Sequence, residues 1–379
     1  MEEVLIVDIH QRVFFELLRA GLWEKEVRLS LYQGFDFSEV YRISEEQSVI
    51  GLVAAGLEHV SDVKVPQQWA LQFAGQTIQL EQRNKLMNAF IAKLIERLRN
   101  DDIYTLLVKG QGIAQCYERP LWRVCGDIDL LLSDDNYNKA KGYLTSLASN
   151  IEKENLDVKH FAMVIDGWSV ELHGTLRSCT LRQMDKLIDE AQRDILYGGN
   201  VRSWHIESTQ VFLPSADNDV IFIFTHILKH FYHGGIGLRQ ICDWCRLLWV
   251  YRESVNRVLL EERIQKAGLI SEWKSLAALA VDYLGMPVEA MPLYSETPRW
   301  SRKAKKIIRF VLETGNFGHN RDLSYYQTKP LFQRKLISFW RQTSDGIHHF
   351  FVFPLDSLKV WGRMVTRGLL AVTVKGERN

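Results

Sequence analysis

The sequence predicts an α+β fold, in which a small mixed-sheet core is flanked by N-terminal and C-terminal helical regions. Three observations predict it: helical periodicity through residues 1–100, strand-like apolar runs between residues 101 and 213, and helical periodicity again through residues 214–379. The chain also has only 8 Pro but 11 Trp and 18 Phe, a balance that favours long helices packed with large side chains. We therefore expect three parts, with boundaries near residues 100 and 213.

The charge and cysteine content excludes several classes of protein. The 379 residues carry 47 Lys+Arg against 46 Asp+Glu, and 46% are hydrophobic, which excludes a disordered chain and argues against a nucleic-acid coat protein. Five scattered cysteines fit a reducing compartment better than an oxidising one. The N-terminus is acidic where a signal peptide is basic, and no run of about 18 uncharged apolar residues would span a membrane. We expect a cytoplasmic protein without a membrane span.

The N-terminal region is predicted to be helical. Its apolar residues recur at helical spacing, as Ile6, Ile9, Val13 and Leu17 show. The stretch from Trp69 to Asn100 contains no Pro and a single Gly, so we expect one long helix there.

The middle region mixes strands and helices. The predicted strands are apolar and partly β-branched runs, at residues 103–108, 127–132, 160–165 and 168–172. The predicted helices lie between them, at residues 111–118 and 137–147. Asp166-Gly167 separates the last two strands, and Asp-Gly between two apolar runs is a strong hairpin signal.

The C-terminal region is predicted to be helical from Pro214 onwards. Residues 219–232 and 238–251 form two helices joined by a glycine-rich turn, and shorter helices follow. Residues 350–374 read as an amphipathic helix, which packs either against its own protein or against a membrane surface.

Acidic residues on adjacent strands are the best candidates for chemistry. Asp127 and Asp129 are two residues apart in a strand, so both carboxylates point to one face. They would repel each other unless a cation lay between them, and Mg²⁺ prefers such oxygen ligands. Glu171, at the end of the hairpin, supplies a third carboxylate. A solvated strand end is the plain alternative, but Leu130 to Leu132 directly after the pair make a surface position awkward.

Basic residues lie near the acidic pair in the sequence. Lys109-Gly110 ends one strand and opens a helix, where backbone amides bind phosphate and glycine permits close approach. Arg123 either contacts a phosphate from the other side or forms a structural salt bridge with Asp127 or Asp129. Lys109 has the same alternatives, a phosphate contact or a permanent salt bridge.

Taken together, these motifs resemble the uncharacterised nucleotidyltransferase family of bacteria, within the DNA polymerase β-like nucleotidyltransferase superfamily. The resemblance covers most of residues 85–250 and rests on these segments: Lys109-Gly110, Arg123, Gly126 to Leu130, Val170 to His173, and Leu238 to Asp243. It implies that Asp127, Asp129 and Glu171 are catalytic metal ligands and that Lys109, Gly110 and Arg123 contact the nucleotide. It also implies cleft positions for Arg239 and Asp243.

The activity implied by the resemblance is metal-dependent transfer of a nucleoside monophosphate from an NTP, with Mg²⁺ or Mn²⁺ as the cofactor. The acceptor is a protein, a tRNA or a small molecule. One departure matters, because Lys109-Gly110 replaces the Gly-Ser that usually opens this site in the superfamily. A catalytically degenerate nucleotide-binding or interaction module is therefore the alternative.

Three further clusters have plain and functional interpretations. His226, His230 and His233 share one helical face, as ligands of a zinc ion or as cleft residues beside His160 and His173. Cys242 and Cys245 form a lone C-x-x-C, which we interpret as two core cysteines. Six basic residues in 299–309 form either a solvated helix face or a guide for a polyanion such as tRNA.

Overall fold

A computed structural model describes residues 8–318, 320 and 329–376. Ile6 and the acidic N-terminus lie outside these residues. Among the described residues, the structure combines one seven-stranded sheet with helices before, between and after its strands, which confirms the predicted α+β class. None of the described helices has the length and apolarity that a bilayer crossing requires.

Helices make up most of the described chain. In chain order they are α1 (Ile9–Trp23), α2 (Phe37–Glu46), α3 (Ile50–Glu58), α4 (Gln67–Asn100), α5 (Gly110–Ala114), α6 (Asp134–Thr145), α7 (Arg182–Gly198), α8 (Ala216–His233), α9 (Leu238–Val250), α10 (Arg257–Lys266), α11 (Ile270–Leu284), α12 (Pro298–Thr314), α13 (Leu331–Phe350) and α14 (Pro354–Gly376). The predicted long helix corresponds to α4, and the two predicted helices after Pro214 correspond to α8 and α9.

The sheet is mixed and lies entirely within the middle of the chain. Its strands are β1 (Leu106–Val108), β2 (Asp127–Leu131), β3 (Asn150–Ile151), β4 (His160–Ile165), β5 (Trp168–His173), β6 (Val201–Ile206) and β7 (Thr209–Pro214). Their order is β3-β4-β5-β2-β1-β7-β6, and β2 with β5 and β1 with β7 are the parallel pairs. The predicted hairpin is β4–β5, joined at Asp166-Gly167.

Two packed cores hold these elements in place. One face of the sheet packs against α4 and α6 through side chains such as Ile91, Leu130 and Tyr137. The second core joins the N-terminal and C-terminal helices, because α1 packs against both α3 and α11. The Arg19 guanidinium and the Trp23 indole fasten α1 to the end of α11 by donating to carbonyl oxygens of residues 282–284. The three-part division at residues 100 and 213 stays a prediction.

The last helix pair leaves both interpretations of the amphipathic segment open. α14 packs against α13, and Phe353 just before it is buried. Leu355 and Leu358 of α14 nevertheless remain 74% and 55% exposed. The helix thus packs against its own protein and also presents apolar side chains outwards.

Candidate active site

The strand register brings the three predicted acids together. Asp127 and Asp129 alternate with buried Ile128 along β2, so their side chains leave the same face of the sheet. β5 runs parallel to β2 and pairs Glu171 with Asp129. The prediction that Glu171 lies on the neighbouring strand is therefore confirmed. One carboxylate oxygen from each acid lies within 4.8 Å of the others.

Three positively charged or protonatable side chains contact this acidic triad. The Nζ atom of Lys109 lies 3.1 Å from Asp129 Oδ1, and His173 Nε2 lies 2.8 Å from the same oxygen. His160 Nε2 lies 2.9 Å from Glu171 Oε2. Both histidines thus reach the predicted cleft, His173 at the Asp129 carboxylate and His160 at the Glu171 carboxylate.

The electrostatics of the triad differ from one acid to the next. Repulsion by Asp129, together with burial, raises the pKa of Asp127. Burial would also raise the pKa of Asp129, but the Lys109 ammonium and the His173 ring outweigh it and lower that pKa. Burial is likewise outweighed at Glu171, whose pKa is lowered well below its usual range by its hydrogen bonds to His160 and His173. Asp127 therefore carries the least compensated charge of the three.

The backbone at Lys109-Gly110 is bent sharply as the chain leaves β1. Lys109 has a φ of 57° and Gly110 a φ of 41°, a conformation that disfavours side chains larger than glycine. A Cβ atom on Gly110 would lie 3.2 Å from the Cys125 sulfur and 3.4 Å from the Asp127 carbonyl oxygen. This bend turns the Lys109 side chain towards the triad, and a larger residue at position 110 would strain the backbone and crowd the Cys125 sulfur.

The triad opens into a cavity of about 490 Å³. Its lining comes from the sheet, from the segment after β5, and from α7, α8 and α9. Its lining includes all of the predicted site residues, namely Lys109, Gly110, Arg123, Asp127, Asp129, His160, Glu171, His173, His230, Arg239 and Asp243. The site residues thus come together from elements as far apart as β1 and α9.

The salt bridge predicted for Arg123 exists, but its partner is neither Asp127 nor Asp129. Arg123 donates Nε and Nη2 to the two carboxylate oxygens of Asp243 at 2.9 and 2.6 Å, and Nη1 to the Val124 carbonyl. Asp243 also accepts from the Tyr117 hydroxyl. The whole group is buried, and the pairing raises the pKa of Arg123 against the effect of burial. Proximity in sequence was a poor guide here, because the partner lies 120 residues away on α9.

Arg239 is the cavity arginine with hydrogen-bonding capacity left over. One of its terminal nitrogens donates to the Val124 carbonyl at 2.8 Å, but its Nε is buried and no described residue accepts from it. Burial and the neighbouring Arg123 charge lower the pKa of Arg239, while Asp243 opposes them. An anion in the cavity would relieve both the unsatisfied N–H group and the repulsion.

The three histidines of α8 contribute two residues to the cavity lining. Within the described part of the chain, His226, His230 and His233 do not form a group of metal ligands. His226 and His230 do line the cavity, and burial keeps them neutral by lowering the pKa of His230 to about 3 and that of His226 well below its usual value.

The C-x-x-C pair and the basic cluster lie away from the cavity lining. Cys242 and Cys245 are fully buried, as predicted for core cysteines. On α12, Arg302 and Arg309 are exposed, whereas Lys303 packs over the Trp300 ring. None of the six basic residues lines the cavity, and a role in guiding a polyanion stays a prediction.

Sequence reasoning missed part of the cavity wall. Lys229 of α8 lines the cavity between His226 and His230, and Tyr117 completes the group around Asp243. Lys229 follows His226 by three residues, so its place on the cavity side of the helix follows from helical spacing. Tyr117 carries no comparable signal, because its contact depends on how α9 packs.

The comparison with known proteins places the chain in a family. A family model described as an uncharacterised nucleotidyltransferase matches residues 33–285, which is more than half of the chain and includes every residue of the triad. No curated protein and no solved structure matches the chain significantly. The chain therefore belongs to the uncharacterised nucleotidyltransferase family.

Proposed function

We propose that this protein is a metal-dependent nucleotidyltransferase of the DNA polymerase β-like superfamily. It would move a nucleoside monophosphate from an NTP to an acceptor: a bond forms between an acceptor oxygen and the α-phosphorus, the bond to the β-phosphate oxygen breaks, and pyrophosphate leaves. The observation that carries the proposal is the convergence of Asp127, Asp129 and Glu171 with Lys109 inside one cavity. The family match supports the same reaction class.

The acidic triad fits a divalent metal. Three carboxylates within 4.8 Å of one another offer the oxygen donors that Mg²⁺ and Mn²⁺ prefer, and the raised pKa of Asp127 reflects a negative charge that a cation would balance. Asp127, Asp129 and Glu171 would hold the metal. When bound, such ions supply charge neutralisation at the phosphate and orient the attacking and leaving oxygens.

Lys109 and Arg239 would bind the triphosphate. The Lys109 ammonium is held by Asp129. It would become available to a phosphate oxygen if Asp129 bound a metal cation instead. The unsatisfied Nε of Arg239 supplies a second donor, from α9, in the lining of the same cavity. Arg123 has its three guanidinium nitrogens on protein oxygens, so we assign it mainly to holding α9 in place and expect at most a secondary contact with nucleotide.

Glu171 and the cavity dimensions bear on the acceptor. Glu171 would ligate the metal and help to activate the acceptor hydroxyl through it, because its lowered pKa keeps it an ionised ligand. A cavity of about 490 Å³ is within the usual range of small-molecule sites, so it would take a nucleotide and the reacting end of a protein, a tRNA or a small molecule. The scattered, free cysteines support a cytoplasmic location.

The direct experiment tests whether the protein transfers a labelled nucleoside monophosphate from an NTP to an acceptor. The purified chain is incubated with each α-³²P-labelled NTP and Mg²⁺ in cell extract, and the labelled product is identified by its sensitivity to protease, ribonuclease or neither. We expect one class of acceptor to be labelled by the wild type and not by Asp127→Asn. Metal-dependent NTP binding without transfer would instead support the degenerate module, and no NTP binding would support an interaction protein.

A further inference from the structure

A second group of possible metal ligands overlaps the acidic triad. His160, Glu171 and His173 each offer a ligand atom within 4.8 Å of the others, and among the described residues this is the one candidate group that contains histidine. The antiparallel register of β4 and β5 pairs His160 with His173, and their ring centroids lie 4.9 Å apart. The two groups share Glu171.

The imidazoles are aimed at the same point. His160 Nε2 lies 2.9 Å from Glu171 Oε2, and His173 Nε2 lies 3.6 Å from that same oxygen. His173 Nε2 also lies 2.8 Å from Asp129 Oδ1. Two ring nitrogens and a carboxylate oxygen thus face one small space at the end of the cavity, and the partly exposed His160 gives it access to solvent.

This donor set differs in chemistry from the triad. Mg²⁺ strongly prefers oxygen, whereas imidazole nitrogen suits later transition ions such as Zn²⁺ and Ni²⁺, and Mn²⁺ accepts nitrogen as well as oxygen ligands. The two carboxylate oxygens of Glu171 allow it to serve both positions. We propose that His160, Glu171 and His173 form a second metal position, selective for a divalent transition ion and adjacent to the carboxylate position. The inference deepens the proposed function, on which it rests for the role of Glu171.

The histidine position would make the protein bind Mn²⁺ and Mg²⁺ in different numbers. Because this position offers two imidazoles and a carboxylate, we expect the chain to bind more Mn²⁺ ions than Asp127, Asp129 and Glu171 alone would hold. Mg²⁺ should leave the histidine position largely empty, because it gains little from nitrogen ligands. The alternative is that the two imidazoles only hydrogen-bond to Glu171 and Asp129, with no affinity for metal.

Electron paramagnetic resonance of Mn²⁺ separates these alternatives without an activity assay. The full chain is titrated with Mn²⁺ alone, and the bound ion is examined by electron spin-echo envelope modulation for coupling to ¹⁴N. We expect imidazole ¹⁴N modulation in the wild type. The double variant His160→Gln/His173→Gln should lose this modulation, and its affinity for the second Mn²⁺ should fall by more than about tenfold. Circular dichroism checks that the variant is folded.

His226→Gln is the matched control, because His226 lines the same cavity but lies outside both ligand groups. It should keep the ¹⁴N modulation. Bound Mn²⁺ without ¹⁴N modulation in the wild type, or modulation that survives in the double variant, would overturn the inference. The two failures are distinguishable: label transfer without ¹⁴N coupling refutes the histidine position alone, whereas ¹⁴N coupling without nucleotidyl transfer from any NTP refutes the transferase alone.

Discussion

Asp127→Asn should be more stable than the wild type without metal and less stable than the wild type with metal. Asp127 is the triad member with the raised pKa, so its charge opposes folding in the metal-free protein. Two unit charges no more than 4.8 Å apart repel by at least about 3.5 kcal/mol at an effective dielectric constant of about 20. Attraction by Lys109 and Arg239 offsets part of this repulsion. We therefore expect Asp127→Asn to raise the free energy of unfolding by about 1 kcal/mol without metal.

With metal, the order should invert. A ligand at 100 times its dissociation constant stabilises the native state by about 2.7 kcal/mol, and the wild type should gain this from Mg²⁺. Asp127→Asn lacks one carboxylate and should gain much less, while losing label transfer altogether. The measurement is urea denaturation followed by tryptophan fluorescence, at pH 7, with and without Mg²⁺.

A matched acid provides the control. Asp157 is exposed and lines the same cavity, but it is not part of the triad. Asp157→Asn should change stability by less than about 0.5 kcal/mol in either condition. The reasoning is refuted if Asp127→Asn is less stable than the wild type without metal, or if both proteins gain equally from Mg²⁺.

Three further predictions concern other charged groups. Lys109→Met should weaken NTP affinity, measured by isothermal titration calorimetry, by about 1.5–3 kcal/mol if the ammonium contacts phosphate. Unchanged affinity together with a lower melting temperature in scanning calorimetry would favour the permanent salt bridge to Asp129. Arg123→Met should cost about 3–5 kcal/mol in urea denaturation because it leaves a buried carboxylate unpaired, and adding Asp243→Asn should recover much of that loss. Burial and the neighbouring Asp356 of α14 raise the pKa of Glu272 on α11 from 4.5 to about 8. Between these pH values the folded protein binds more protons than the unfolded chain, so the free energy of unfolding should fall as the pH rises. Glu272→Gln should flatten that fall, and an unchanged pH profile of stability would contradict the assignment.

Local periodicity was sufficient to predict the shared face of Asp127 and Asp129, whereas Glu171 joins them through the parallel pairing of β2 with β5. Asp127 and Asp129 share a face because side chains alternate along any strand, whatever the strand pairs with. The Asp166-Gly167 turn predicted the β4–β5 hairpin, which places Glu171 on a strand beside others of the core. These predictions depend on interactions between residues close in sequence, and the structure confirms the resulting geometry.

Other elements were missed although the sequence held a signal for one of them. Buried residues of α7 recur at helical spacing, as Met184, Leu187, Ile188, Ala191 and Ile195 show. The β6–β7 hairpin is harder to predict, because its turn carries Glu207 at a φ of 53° in place of a glycine or an asparagine. The parallel pairing of β1 with β7 depends on a long connection and has no local signature.

The site owes its metal-free charge balance to contacts that only the tertiary fold creates. Three carboxylates on two adjacent strands would destabilise the sheet if nothing opposed them. Lys109 reaches Asp129 because the chain bends at positive φ as it leaves β1, and His173 reaches it because β5 runs parallel to β2. The ammonium and the imidazoles therefore stand where cations would bind. A metal bound by the triad would replace at least one of these contacts, so the same side chains that balance the charge of the triad would become available to the phosphate groups or to a second ion.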